Sequence, residues 1–204
     1  MSDASINLTS KVGEPTWEAA YLLPTQGQWT EEDFFKFHTN RMAELVDGSL
    51  EVLPMPTLKH QQLLKWLFKD LELAVERHGG LVLFAPLPVR LSAGRIREPD
   101  LLYIANEHLP AADAEYPTRI DLAVEIVSEG VDAHRRDYEE KRADYAKAGV
   151  AEYWIVDPHE MHVIVLTLDN SSYQELGVFK PGQIATSKLL PAWSVDVQQL
   201  FNLE

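Results

Sequence analysis

The chain contains no cysteine. Disulfides, thiolate zinc sites, iron–sulfur clusters and thiol nucleophiles are therefore excluded. Positive charge is scarce: 18 lysines and arginines stand against 32 aspartates and glutamates, a formal charge of −14. That balance argues against holding nucleic acid by bulk charge, though it leaves room for a local basic groove. Long hydrophobic runs are also missing. Leu81 to Pro88 is among the longest and is too short to cross a bilayer. Residues 1–28 lack the positive start and apolar core of a secretory signal. These absences lead to the expectation of a soluble, cytoplasmic protein without a membrane partner. The chain has no His-Glu-x-x-His zinc motif, no Gly-x-x-x-x-Gly-Lys phosphate loop and no Gly-x-Ser-x-Gly nucleophile elbow. It has no internal repeats or low-complexity tracts either.

What is present is an ordinary globular composition, 46% hydrophobic and 25% charged over 204 residues. That suffices for one core. Residues 1–28, polar and punctuated by Pro15, Pro24 and Gly27, read as an arm before a single domain over 29–204. Thr30 and Asp33 suggest a capping box opening a helix over 31–40. Apolar residues around Asp47-Gly48 predict a hairpin over 44–52. Leu63, Leu64, Leu67, Leu71 and Val75 recur at helical spacing and predict a helix over 58–78, stopped by Gly79-Gly80. Strands are expected at 81–85, 87–92, 98–104, 120–128, 153–156, 161–168 and 173–178. A second long helix is expected over 132–148, before Gly149, and a short one near 196–202. Long helices among mixed strands imply an α/β or α+β layered fold.

Two predicted buried strands carry carboxylates. Asp100 follows Arg97-Glu98-Pro99 and leads into Leu101-Leu102-Tyr103-Ile104; Glu125 sits within Leu122 to Val127. Strand alternation puts Glu125 on one face with Asp121, Ala123 and Val127, and Leu122, Val124 and Ile126 on the other. A buried carboxylate is costly unless paired or bound to a cation. Each alone reads equally well as a core acid bonded to an arginine. Two on adjacent strands favour a hard divalent cation with oxygen ligands. In the following helix, Tyr138, Lys141, Tyr145 and Ala148 form one stripe, which sets Lys141 apart from the solvated charges. It reads either as a lysine closing an ion pair with Asp137 or a strand acid, or as an ammonium beside an attacking water and a scissile phosphate.

The segment Leu122 to Ser128, then Asp137, Lys141 and Tyr145, then Gly149-Val-Ala-Glu-Tyr-Trp-Ile-Val-Asp-Pro158 resembles the Uma-two family of restriction endonuclease-like proteins, in the PD-(D/E)XK nuclease-like superfamily. Glu44-Leu-Val-Asp-Gly48, His60-Gln61, Pro99-Asp100, Leu190-Pro191 and Leu200-Phe201 extend the resemblance over residues 30–202. It implies a central mixed sheet flanked by helices, a restriction-endonuclease-like fold. It also implies metal-dependent hydrolysis of DNA phosphodiester bonds, with Asp100 and Glu125 binding Mg²⁺ or Mn²⁺ and Lys141 acting on the water or the transition state. Lys141 takes the place of the superfamily's lysine, whose position here is Val127. Ser128-Glu129-Gly130 stands where the family has Ser-Pro and a small residue.

Glu44 is a candidate third acid, or else an exposed hairpin charge. His60, Tyr145 and Arg97 are candidate substrate contacts, with Arg90, Arg95 and Arg97 forming a basic lip unless neighbouring acids neutralise them. The alternatives are a catalytically silent nuclease-fold module that binds nucleic acid or serves as an oligomeric scaffold, and a structural homo-oligomer with paired acids. A homodimer is expected.

Overall fold

Why acids gather at one end of the larger sheet follows from how Pro99 breaks a strand. In the computed structural model, which describes residues 22–37, 42–76 and 78–202, the strand expected over 98–104 forms only over 101–104, and a corner separates it from a strand over 95–97 that was not expected. The earlier strand, Arg95–Arg97 (β5), follows Val89–Ser92 (β4) and pairs with it. The later one, Leu101–Ile104 (β6), belongs to another sheet. Proline has no N–H to give to a ladder, so the pairing ends there. Glu98, Pro99 and Asp100 form the corner between the sheets.

The smaller sheet also holds the hairpin Ala43–Val46 (β1) and Ser49–Val52 (β2), in the order β2-β1-β5-β4, all antiparallel. Asp47 and Gly48 turn the hairpin with φ of 48° and 79°, as a two-residue turn matched to the strand twist requires. A Cβ on Gly48 would lie 2.6 Å from the carbonyl oxygen of Gly27, so only glycine fits. The short helix Glu31–Lys36 (α1) starts at the expected capping box and covers this sheet through Phe34, with Trp29, Leu45 and Ile96. Residues 38–40 of the helix expected there lie outside the described residues, as does most of the expected arm.

The larger sheet has the order β10-β9-β8-β7-β6-β3. Its strands are Leu81–Phe84 (β3), β6, Leu122–Ile126 (β7), Glu152–Asp157 (β8), His162–Asp169 (β9) and Ser172–Phe179 (β10). Only β7 and β8 run parallel. Parallel neighbours need a crossover, and the helical segment 131–148 provides it: Val131–Arg135 (α3), a π turn over Arg136–Glu140, and Lys141–Ala148 (α4). Gly149 ends it in the left-handed conformation. Central strand β8 is buried at all six positions.

Each face of this sheet has its own core. Leu122, Val124, Ile126 and Trp154 pack beneath Leu58–Val75 (α2) and Val197–Phe201 (α5). Ala123, Val127, Tyr153 and Ile155 pack beneath Tyr145 and Ala146 of α4. The two faces of β7 are thus the ones its alternation predicts. The expected strands and long helices match within a few residues, apart from the corner. Ile184–Thr186 (β11) and Ser194–Asp196 (β12) were not anticipated. At three residues each they carry too short a pattern to read. They place Trp193 on Trp154, with ring centroids 4.1 Å apart.

Candidate active site

Asp100 projects from the sheet corner and Glu125 from β7, the strand beside β6. Leu101 pairs with Val124, so the two acids lie at the same end of adjacent strands. Asp100 Oδ2 accepts the Ile126 backbone N–H at 2.8 Å and lies 3.2 Å from His60 Nε2. His60 comes from the first turn of α2, whose N-cap Thr57 accepts the His60 N–H. Tyr145 of α4 donates its hydroxyl to Glu125 Oε1 at 2.6 Å.

Lys141 completes the cluster. Its ammonium lies 2.9 Å from Glu125 Oε2, 3.1 Å from Glu44 Oε1 and 3.9 Å from Asp137 Oδ1. The π turn sets its direction. The Lys141 N–H reaches back five residues to the Arg136 carbonyl, so residues four apart remain on one side. The buried row is therefore Ala133, Asp137, Lys141 and Tyr145. The expected stripe ending at Ala148 is corrected accordingly: Ala148 is exposed. The extra residue of a π turn is frequent at functional sites, and it leaves no separate mark in the hydrophobic pattern.

Glu44 is fully buried, not an exposed hairpin charge. It bridges Lys141, the Glu98 backbone N–H at 3.0 Å and Arg97 Nη1 at 2.7 Å. Arg97 was expected at the substrate. It is instead fully buried, with its guanidinium committed to Glu44, Asp144 and Glu51. It orients Glu44 from behind. Tyr145, likewise expected at the substrate, is fully buried against Glu125. The basic lip is not free either: Arg90 pairs with Glu31, and Arg95 pairs with Asp47 and Asp144. Acids brought in from other elements neutralise these arginines. Sequence reasoning missed Glu98 as part of the site and read Asp137 only as an ion-pair partner of Lys141, although both line its hollow of about 30 Å³. The adjacency of Glu98 to Pro99-Asp100 was the available signal.

The electrostatics follow from burial. Burial alone would push the Glu44 carboxyl up, but Lys141, Arg97 and the Glu98 N–H hold it below the usual carboxylate range. Burial raises Glu125 against the pull of Lys141, and the Asp100 charge raises it further. Burial and the Glu44 charge push Glu98 up to about 7. Burial also raises Asp137, which Lys141 and Arg136 only partly offset. Burial opposes a charge on His60, but its bond to Asp100 outweighs this and raises its pKa. Four carboxyls, Glu98, Asp100, Glu125 and Asp137, thus line the pocket with Glu44 buried behind them, while Lys141 and Arg97 are each divided among several acids and Arg136 lies beside Asp137.

This surplus of negative charge fits a divalent cation. Both side-chain hydrogen bonds of Asp100 among the described residues fall on Oδ2, and Glu98 Oε2 is buried without a hydrogen-bond partner among them. No three His, Cys, Asp or Glu side chains among the described residues are gathered as a ready-made ligand set. Magnesium commonly takes only one or two carboxylates and keeps several waters, so Asp100 and Glu125 suffice in kind and number.

Asp100, Glu125 and Lys141 thus stand together at one end of a helix-flanked mixed sheet. The profile of the Uma2 family, described as "Putative restriction endonuclease", matches residues 28–198, and the chain belongs to that family. Its fold is similar to the crystal structure of a putative nuclease belonging to DUF820 from Anabaena variabilis ATCC 29413, with a TM-score of 0.72 at 18% identity. The match covers 85% of this chain and 97% of that one. No curated protein matches the chain. No helix among the described residues is long and apolar enough to cross a membrane.

Proposed function

We propose that this protein is a metal-dependent endonuclease that hydrolyses DNA phosphodiester bonds. The observation that carries the reading is the meeting of Asp100, Glu125 and Lys141 in one pocket, with the lysine delivered from the crossover helix. Asp100 and Glu125 would hold Mg²⁺ or Mn²⁺, which when bound would lower the pKa of a water and stabilise charge on the phosphate oxygens.

The chain's own residues do the positioning. The Ile126 N–H and His60 fix Asp100, and the Tyr145 hydroxyl fixes Glu125. Glu44 and Glu125 hold the Lys141 ammonium in place, near the position where charge would develop on a phosphate. Arg97 acts through Glu44 as a positioning residue. His60 lines the hollow and lies at its mouth beside Pro54 and Pro56, where it could meet the substrate strand.

A second reading, a catalytically silent nucleic-acid-binding or scaffold module, draws support from two observations. Lys141 is already shared among acids, and the hollow measures only about 30 Å³. Calorimetric titration of Mn²⁺ into wild type and Glu125→Ala, followed by plasmid nicking on the same samples, separates the two. The nuclease reading expects wild type to bind Mn²⁺ and nick, and the variant to do neither. Metal binding without nicking would move the protein to the silent class, and no metal binding would make the acids structural. A cytoplasmic location and a homodimer accompany this reading; a monomer at micromolar concentration in light scattering would remove the dimer.

A further inference from the structure

Beside the acidic pocket lies a hollow of about 320 Å³, and beyond it another of about 410 Å³. Pro54, His60 and Ser128 belong to the walls of both the pocket and the first hollow. Val127, Ser128 and His159 belong to the walls of both hollows. The three spaces therefore run on from one another, away from Asp100 and Glu125.

The walls of this groove combine apolar side chains, Met55, Val127, Val131 and two prolines, with the rings of His60, His134 and His159. Met55 is 77% exposed in the first hollow and Val131 is 86% exposed in the second. In the second hollow the His134 ring stacks on Tyr138, with centroids 3.8 Å apart and planes 10° apart. Tyr138 is itself anchored, donating its hydroxyl to Asp157 at 2.9 Å with His162 Nε2 2.8 Å away. His134 is thus a flat ring held ready at the groove wall.

Charge decides what the groove can hold. Among the residues lining the three spaces, only Lys59, Arg136 and Lys141 are permanent cations. Lys141 is committed to Glu44 and Glu125, and Lys59 donates to the Phe201 carbonyl. Arg136 lies 3.7 Å from Asp137, and Glu129, Asp157 and Glu160 line the groove as well. A duplex is held mainly through many phosphate–cation contacts, which this groove does not provide. An unpaired strand carries a lower charge density, depends less on such contacts, and adds affinity from bases seated on apolar surfaces and rings.

We infer that the groove from His60 to His134 is a binding site for unpaired nucleobases flanking the cleaved phosphate, which makes single-stranded nucleic acid the preferred substrate. The inference rests on the nuclease reading for the location of the cleaved phosphate. The groove's affinity for a single strand stands apart from it.

The test measures fluorescence anisotropy of the full chain with a labelled mixed-sequence 12-mer, free or annealed to its complement. Binding is read first in EDTA; strand cleavage is then read in Mn²⁺. The single strand is expected to bind at least about tenfold more tightly than the duplex, and to be cut faster. Val131→Glu and Met55→Glu change exposed side chains, so folding is expected to persist, checked by thermal melting. Each is expected to weaken single-strand binding about fivefold or more while leaving Mn²⁺ titration unchanged.

Equal or tighter duplex binding would overturn the inference, as would single-strand binding that ignores both substitutions, or the absence of any nucleic-acid binding. If wild type binds Mn²⁺ and nicks plasmid without strand preference, the inference fails and the nuclease reading stands. If Mn²⁺ is neither bound nor used but the strand still binds through Val131 and Met55, the nuclease reading fails and the groove stands.

Discussion

Lys141 and Arg97 hold together buried carboxylates that would otherwise repel one another. Breaking a buried ion pair by removing one partner leaves the other charge unpaired, at a cost of about 3–5 kcal/mol. Arg97→Ala would take from Glu44, which is fully buried, one of its two cations, and from Asp144 its closest one. It is therefore expected to lower stability by about 3–5 kcal/mol, read as a shifted urea midpoint. A loss below about 1 kcal/mol would show that water reaches Glu44. Tyr145→Phe removes one hydroxyl, the donor to Glu125. A buried acceptor left unsatisfied costs about 1–3 kcal/mol. The variant is expected to unfold earlier by that amount in the same experiment; unchanged stability would mean that Glu125 finds another donor. Much of this residue scale was legible in the sequence. Asp100, Glu125 and Lys141 stood out because charged residues are rare on apolar faces. Arg97 and Tyr145 were read as substrate contacts because sequence does not reveal which face of a short strand or helix ends up behind a carboxylate.

At the scale of elements, three local devices set the geometry: the hairpin at Asp47-Gly48, the Pro99 corner and the π turn. The first was plain from a dipeptide. Gly48→Ala would force a Cβ to within 2.6 Å of the Gly27 carbonyl oxygen at a φ of 79°. It is expected to cost about 1–3 kcal/mol, measured by chemical denaturation. A neutral result would mean that the segment at Gly27 can move away. The turn after β8 carries a pH dependence. Burial opposes ionisation of Asp157, but the Glu160 N–H, the Tyr138 hydroxyl and the His159 N–H outweigh it and hold Asp157 below the usual range. Its pKa is depressed on folding, so its contribution is present above the unfolded value of about 3.9 and lost as pH falls through the folded value. The stability advantage of wild type over Asp157→Asn is therefore expected to shrink as pH drops from neutral into that acid range. A difference independent of pH would remove Asp157 as its source. The corner and the π turn were less readable. A proline marks a break without saying that the chain changes sheets, and a π turn differs from an α-helix by one hydrogen-bond step.

For the whole molecule, the surplus of acid at the sheet corner predicts linkage between metal and folding. A ligand that binds only the folded state stabilises it by about 2.7 kcal/mol at a hundred times its Kd. Excess Mn²⁺ is expected to raise the melting temperature of wild type and not of Glu125→Ala. Equal shifts in both would place the cation elsewhere. The sequence by itself determined the layered class, the order of the long helices and strands, the two-faced burial of β7 and the acids carried into the core. Those properties follow from periodicity and from the cost of burying charge, which act over a few neighbouring residues. Only the tertiary structure decided that Asp100 from the corner, Glu125 from β7 and Lys141 from the crossover helix share one pocket, with Glu44 from the hairpin buried against Lys141, and that Arg90, Arg95 and Arg97 are neutralised. The partners of Lys141 at Glu44 and of Arg97 at Glu44 lie 97 and 53 positions away in the chain. Contacts at that separation are set by sheet order and helix packing, which no local pattern encodes.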